Sequence, residues 1–186
     1  MEKKFPEIET SRLILRKVKS DDKESMYKYL SDEDVVKHMG LFPYKTAEEV
    51  MDEINWYDSI YKEGTGIRWG ITEKGKNEVI GSCGFLNMKR QHFRAEIGFE
   101  LNKEYWSQGI AGEAISAVLQ YGFQSLGLER IEALIEPTNR SSQKLVEKYG
   151  FIKEGLLRHY EFTCGKFDDL LMYSILKEDL VGIFGE

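Results

Sequence analysis

The segment from Phe93 to Ala114 constrains the fold more than any other. Between 93 and 101 apolar and polar residues alternate, so Ala95, Ile97, Phe99 and Leu101 share one face of a strand, and Arg94, Glu96, Gly98 and Glu100 share the other. Shortly after it, Tyr105-Trp106-Ser107-Gln108-Gly109-Ile110-Ala111-Gly112-Glu113-Ala114 leads through a glycine-bearing turn into a helix from Gly109. The apolar stripe of that helix is Ile115, Val118, Leu119, Gly122 and Leu126, and the helix stops near Gly127. Such a turn suits a phosphate: unpaired N–H groups converge at a helix start, the macrodipole favours negative charge, and small residues at Gly109, Ala111 and Gly112 allow close approach. A plain structural turn has the same appearance. Two nucleotide motifs are excluded by spacing, because Gly109-Ile110-Ala111-Gly112 is not Gly-x-Gly-x-x-Gly and no Gly-Lys-Ser/Thr is present.

The remaining pattern fills out an α/β (α+β) domain. Residues 12–18 predict an opening strand, and Ser20 predicts a cap for a short helix through Leu30. Thr46 and Glu49 form a capping box before Val50, Ile54, Tyr57 and Tyr61 at helical spacing. Strands over 67–72 and 78–87 join around Lys74-Gly75-Lys76-Asn77. Beyond Gly127 come a strand over 130–136, a helix over 139–149 closed by Gly150, and strands over 151–158 and 167–176. The expected architecture is a mixed, mostly antiparallel sheet of about six or seven strands. Helices flank it, and the C-terminal half runs β-α-β-α-β. No linker or internal repeat divides the 186 residues, so one domain over 8–177 with terminal extensions 1–7 and 178–186 is expected.

Composition narrows the function classes. A formal net charge of −6 argues against a nucleic-acid partner, which needs a basic footprint, and is compatible with a cationic substrate. Cys83 and Cys164 are too few for a disulfide framework and are expected to be buried thiols, and neither they nor His38, His92 and His159 have metal-ligand spacing. Charges crowd the short apolar run at the start, and no stretch approaches a membrane span, so a cytoplasmic protein with no membrane partner and no metal is expected.

Four ordered matches show that the chain, from about residue 8 to about 177, resembles the GNAT superfamily of N-acetyltransferases, and within it the ribosomal-protein (RimJ/RimL) branch. They are Thr10-Ser11-Arg12-Leu13-Ile14-Leu15-Arg16, Ala95-Glu96-Ile97-Gly98, the glycine loop, and Asn139 to Phe151 against Asn-x-x-Ser-x-x-Leu-x-Glu-Lys-x-Gly-Phe. Trp106-Ser107-Gln108-Gly109-Ile110-Ala111 occupies the slots of the family's Gln/Arg-x-x-Gly-x-Gly/Ala motif, with Trp106 departing in the first slot.

The resemblance implies acetyl transfer from acetyl-coenzyme A to a primary amine. It implies a pyrophosphate on the backbone of Gln108, Gly109, Ile110, Ala111 and Gly112, and a pantetheine arm between strands 93–101 and 130–136, in contact with Asn139 and Ser142. Asn139 is equally a good helix N-cap, which Ser142 in the first turn would merely accompany. Arg140, Lys144 and Lys148 share a helical face that could meet the ribose phosphate or simply be solvated. The oxyanion donor would be a backbone N–H near Leu101. The base would be Glu96, with Glu136 competing and a surface carboxylate as the plain alternative. The family's usual acid, a Tyr four residues before Gly150, is replaced by Val146. Ser142 is the substitute, while Tyr149 is expected to be structural.

For the acceptor the branch implies the N-terminal α-amine of a (ribosomal) protein. Its pKa of ~7.7–8.0, against ~10.4 for a lysine amine, makes its free base easier to present. A polyamine, an aminoglycoside and a non-catalytic acyl-coenzyme A sensor are the alternatives. Monomer and homodimer are both open.

Overall fold

A computed structural model describes residues 4–182. The outermost residues of the expected extensions, 1–3 and 183–186, lie outside the described residues. The described chain forms one eight-stranded sheet: β1 (Ile8–Glu9), β2 (Leu13–Arg16), β3 (Ile67–Glu73), β4 (Gly81–Lys89), β5 (Arg94–Leu101), β6 (Arg130–Ile135), β7 (Ile152–Thr163) and β8 (Lys166–Leu176), in the order β1-β2-β3-β4-β5-β6-β8-β7. Every neighbouring pair is antiparallel except β5–β6. The expected mixed sheet and its β-α-β-α-β second half are therefore present, with β1 as the strand that the sequence did not mark.

Helices cover both faces. Trp69 and Ile71 of β3 enter one core together with Ile115, Val118 and Leu119 of α4 (Ile110–Gln124) and Val146 of α5 (Arg140–Lys148). Gly70 between them faces Val18 and Val79 of a second core, built by α1 (Lys23–Leu30), α2 (Glu33–Val36) and α3 (Val50–Glu63). The alternation of the strand thus assigns α4 and α5 to one side and α1–α3 to the other.

Three local expectations need correction. Ser20 does not cap α1: it opens a 3-10 turn, and the buried Asp22 closes that turn by accepting the Lys19 N–H at 2.8 Å while bound to Arg16. Cys83 is buried, and its burial pushes the thiol up to about 12, but Cys164 is exposed because it sits at φ +50° in the β7–β8 turn. The expected box at Thr46 and Glu49 is half formed one turn ahead of α3: Glu49 N–H donates to Thr46 Oγ1 at 3.3 Å, but the Glu49 carboxylate accepts from Lys45 N–H at 2.7 Å and not from Thr46.

Candidate active site

The parallel strands β5 and β6 pair over three positions only, Arg94 with Arg130, Ala95 with Ile131 and Glu96 with Glu132. Beyond them β5 continues along β4 to Leu101 and β6 continues along β8 to Ile135, so the two diverge and a gap opens. A cavity of about 390 Å³ occupies it, bounded by Ile97–Glu100 on one strand, by Ala133–Glu136 with Asn139 and Ser142 on the other, and by α3 and the 38–41 loop above.

At the end of β5 the chain turns into α4. Trp106 donates its Nε1–H to the Leu101 carbonyl at 2.7 Å, which gives the departing residue in the first motif slot a structural task. Ser107 at φ +60° and Gly109 at φ +77° then bend the backbone twice. Among the described residues, none of the N–H groups of Gln108–Gly112 donates to another protein group, so five donors stay open at the start of α4. They fit a pyrophosphate. The glycines serve different ends from the ones their size suggested: Gly109 supplies the left-handed turn, and at Gly112 a Cβ would stand 2.4 Å from the Tyr149 hydroxyl. Tyr149 is packed against the first core and this loop, in keeping with a structural part.

The Thr10-Ser11-Arg12 segment holds this loop from below. Thr10 Oγ1, Ser11 Oγ, Arg12 N and Arg12 Nε all donate to the carboxylate of Glu113, at 2.6, 2.9, 2.8 and 2.6 Å, and Arg12 Nη1 donates to the Gln108 carbonyl at 3.0 Å. Burial would raise the Glu113 carboxyl, but these hydrogen bonds outweigh it and bring it down to about 2.

Asn139 caps α5, its Oδ1 accepting the Ser142 N–H at 3.1 Å, while it also lines the cavity. The Ser142 hydroxyl lines the cavity as well and bonds to no protein group among the described residues. Val146 is fully buried. Arg140, Lys144 and Lys148 are exposed in a row on α5. Leu101 is buried at the far end of β5, paired with Gly81, and does not line the cavity.

The carboxylates fall in different places. Glu96 stands at the last paired position before the gap. Burial raises its carboxyl, Asn87 Nδ2 at 3.0 Å opposes that, and the cavity wall next to it is Leu86 and Gly98. Glu136 lines the cavity with Oε2 engaged by His38 Nδ1 at 2.9 Å.

Sequence reasoning missed a buried pair beside them. Arg68 of β3 lies opposite Gly84 of β4, which lies opposite Gly98 of β5, and this row of missing side chains lets the guanidinium cross to Glu100. A Cβ on Gly98 would stand 2.7 Å from Arg68 Nη1. Ser82 and Tyr57 donate to the same carboxylate. Glu53 of α3 was missed too. It lines the cavity near this pair, takes a hydrogen bond from the Tyr44 hydroxyl at 3.2 Å, and is raised by burial first and by the Glu100 charge second. Its signal in the sequence was only its place on the turn before Tyr57.

A helix start with open N–H donors, beside a strand gap bordered by carboxylates, suits an enzyme that holds a long phosphate-bearing donor against a polar acceptor. The chain belongs to the GNAT acetyltransferase family: a model of the acetyltransferase (GNAT) domain matches residues 12–152. It is an acetyl-coenzyme A-dependent N-acetyltransferase. Over 173 residues it is 42% identical to the uncharacterized N-acetyltransferase YoaA of Bacillus subtilis, covering 93% of this chain and 98% of that one. It is 26% identical over 182 residues to the ribosomal protein uS5-alanine N-acetyltransferase of Escherichia coli, with 91% and 90% covered. Among solved structures it is similar to an acetyltransferase (GNAT family) from Bacillus anthracis, with TM-score 0.81, 30% identity, and 93% and 99% covered. No described helix is long and apolar enough to cross a membrane.

Proposed function

We propose that the acceptor is the α-amine of a protein N-terminus. The observation that carries this reading is the charge available on the acceptor side of the cavity. Three carboxylates border it, but Glu100 is held by the Arg68 guanidinium and Glu136 is engaged by the His38 ring, which leaves Glu53 as the one that meets only a tyrosine hydroxyl among the described residues. Met39, Leu41, Trp56 and Leu86 supply apolar walls. One carboxylate in an apolar chamber matches a single ammonium on a short residue, whereas a polyamine presents several charges that would each need a partner. The likeness to an alanine N-acetyltransferase supports the same class, and a ribosomal-protein substrate would place the enzyme in the cytoplasm.

In this reading the pyrophosphate lies on the N–H groups of Gln108, Gly109, Ile110, Ala111 and Gly112. The pantetheine arm passes Asn139 and Ser142, and a backbone N–H on the β6-facing side of the stretch of β5 ending at Leu101 faces the oxyanion. The Ser142 hydroxyl is placed to protonate the departing thiolate. Glu96 acts through water from the edge of the gap, carrying protons onward to solvent without touching the acceptor.

A panel measuring thiol release tests the acceptor. A short peptide beginning with Ala or Ser and carrying no lysine should exceed, in kcat/KM, both the same peptide with a blocked α-amine plus one lysine and free spermidine. Equal or reversed values overturn the α-amine assignment.

A further inference from the structure

We propose that Glu53, on helix α3 and not on either splayed strand, binds the acceptor ammonium and takes its first proton. The proposal rests on the reading above, in which Glu53 is the cavity carboxylate open to the acceptor's ammonium.

Position is the first ground. Glu53 lines the same cavity as Ser142 and the stretch Ile97–Glu100, which has no partner on the β6 side, so a nitrogen bound to it stands over the place where the strands part. Glu96 is outside the lining, and Glu136 is turned to His38. Chemical availability is the second. Among the described residues the hydrogen bond to the Glu53 carboxylate comes from the Tyr44 hydroxyl at 3.2 Å, and a phenol donor leaves a carboxylate oxygen free to accept from an ammonium.

The charged surroundings set the proton affinity. From the sheet Glu100 pushes the Glu53 carboxyl up and Arg68 pulls it down. From its own helix and the preceding loop Tyr57 and Tyr44 stabilise the anion, and across the cavity His38 and Glu136 occupy each other. Burial is the largest influence and raises it, which brings an acid closer to the amine it must deprotonate.

The step balances simply. An N–H bond of the ammonium breaks and its proton moves to a Glu53 oxygen. The freed lone pair forms the C–N bond to the thioester carbon, and collapse of the tetrahedral adduct breaks the C–S bond. The second nitrogen proton goes to the leaving sulfur, directly or through Ser142, to give the thiol, and Glu53 returns its proton to solvent.

The test compares full-length Glu53→Gln and Glu96→Gln with wild type across pH, using whichever amine of the panel wild type turns over best. The outcome for Glu53 is therefore readable even if that amine is spermidine and the α-amine reading falls. Glu53→Gln should lose about 10²-fold or more in kcat/KM at pH 7. The loss should shrink as pH rises, because solution then supplies neutral amine, and coenzyme A affinity by calorimetry should stay within about twofold. Glu53→Ala should regain rate in added formate, a response that a packing role would not produce. A Glu53→Gln enzyme within about threefold of wild type at pH 7, or a Glu53→Ala enzyme with no formate response, overturns the assignment.

Discussion

Arg68 reaches Glu100 across two glycines, and both charges are buried in the half of the sheet that forms the cavity floor. Removing the cation would strand a largely buried carboxylate on the cavity floor, and breaking a buried pair this way costs about 3–5 kcal/mol. Arg68→Ala should therefore lower the urea midpoint by the corresponding amount with the slope unchanged, and a loss under about 1 kcal/mol would show that Glu100 finds other partners. Replacing both, as Arg68→Met with Glu100→Leu, should recover much of the stability and none of the activity, because Glu53 would then lack the neighbouring charges that tune it. Neither residue was legible as part of the site from the chain alone. Arg68 lies 32 residues from Glu100, and the glycines that bring them together have meaning only once the register is known.

At the scale of elements, the β1–β2 corner and the first turn of α4 act as one unit through Glu113. Because the folded carboxyl sits at about 2, the clamp is fully formed above ~4.3, the usual value for a glutamate, and weakens as pH falls from there towards about 2. Glu113→Gln keeps the shape but loses charge-assisted bonds to Thr10, Ser11 and Arg12, and it should weaken coenzyme A binding roughly tenfold at neutral pH. In thermal melts the difference from wild type should be clear at pH 7 and reduced to roughly a quarter at pH 2.5. A constant difference across that range would show that the clamp charge does not matter.

The opening motif was visible in the sequence as a family mark, but its purpose depends on a partner about a hundred residues away. Elements were legible in proportion to their length. The alternating strands and the fourteen- and fifteen-residue helices α3 and α4 stand out from local pattern, whereas two-residue β1 and four-residue α2 carry too little periodicity. β7 runs to Thr163, five residues past the expected end, because its outer part has edge residues exposed on both faces and no alternation to read. The glycine loop and Asn139 could be located from the chain, since backbone conformation and capping are local. The cavity carboxylate could not, because burial and pairing decide which of thirty-two acidic residues remains available.

On the scale of the whole molecule, the two ends of the sheet are unequally supported. Strands β1 to β5 carry α1–α4 on their two faces, while β6, β8 and β7 carry α5 and hold to the rest through only three residue pairs in the sheet. Seen as a material and not as a catalyst, the protein has a seam at Glu96 and Glu132, and its own hydrogen bonds close only part of that seam. A ligand lying in the gap is then mortar between two panels. Without it, amides of β6 and β8 should exchange with deuterium through an opening of lower free energy than amides of β3 and β4. Saturating coenzyme A at about 100 times its Kd adds about 2.7 kcal/mol to any opening that releases it, so the two panels should then exchange together. Equal protection of both panels in its absence would refute the seam. With the seam in place the molecule is fully cooperative only while loaded, and each release of product briefly returns it to two loosely joined parts.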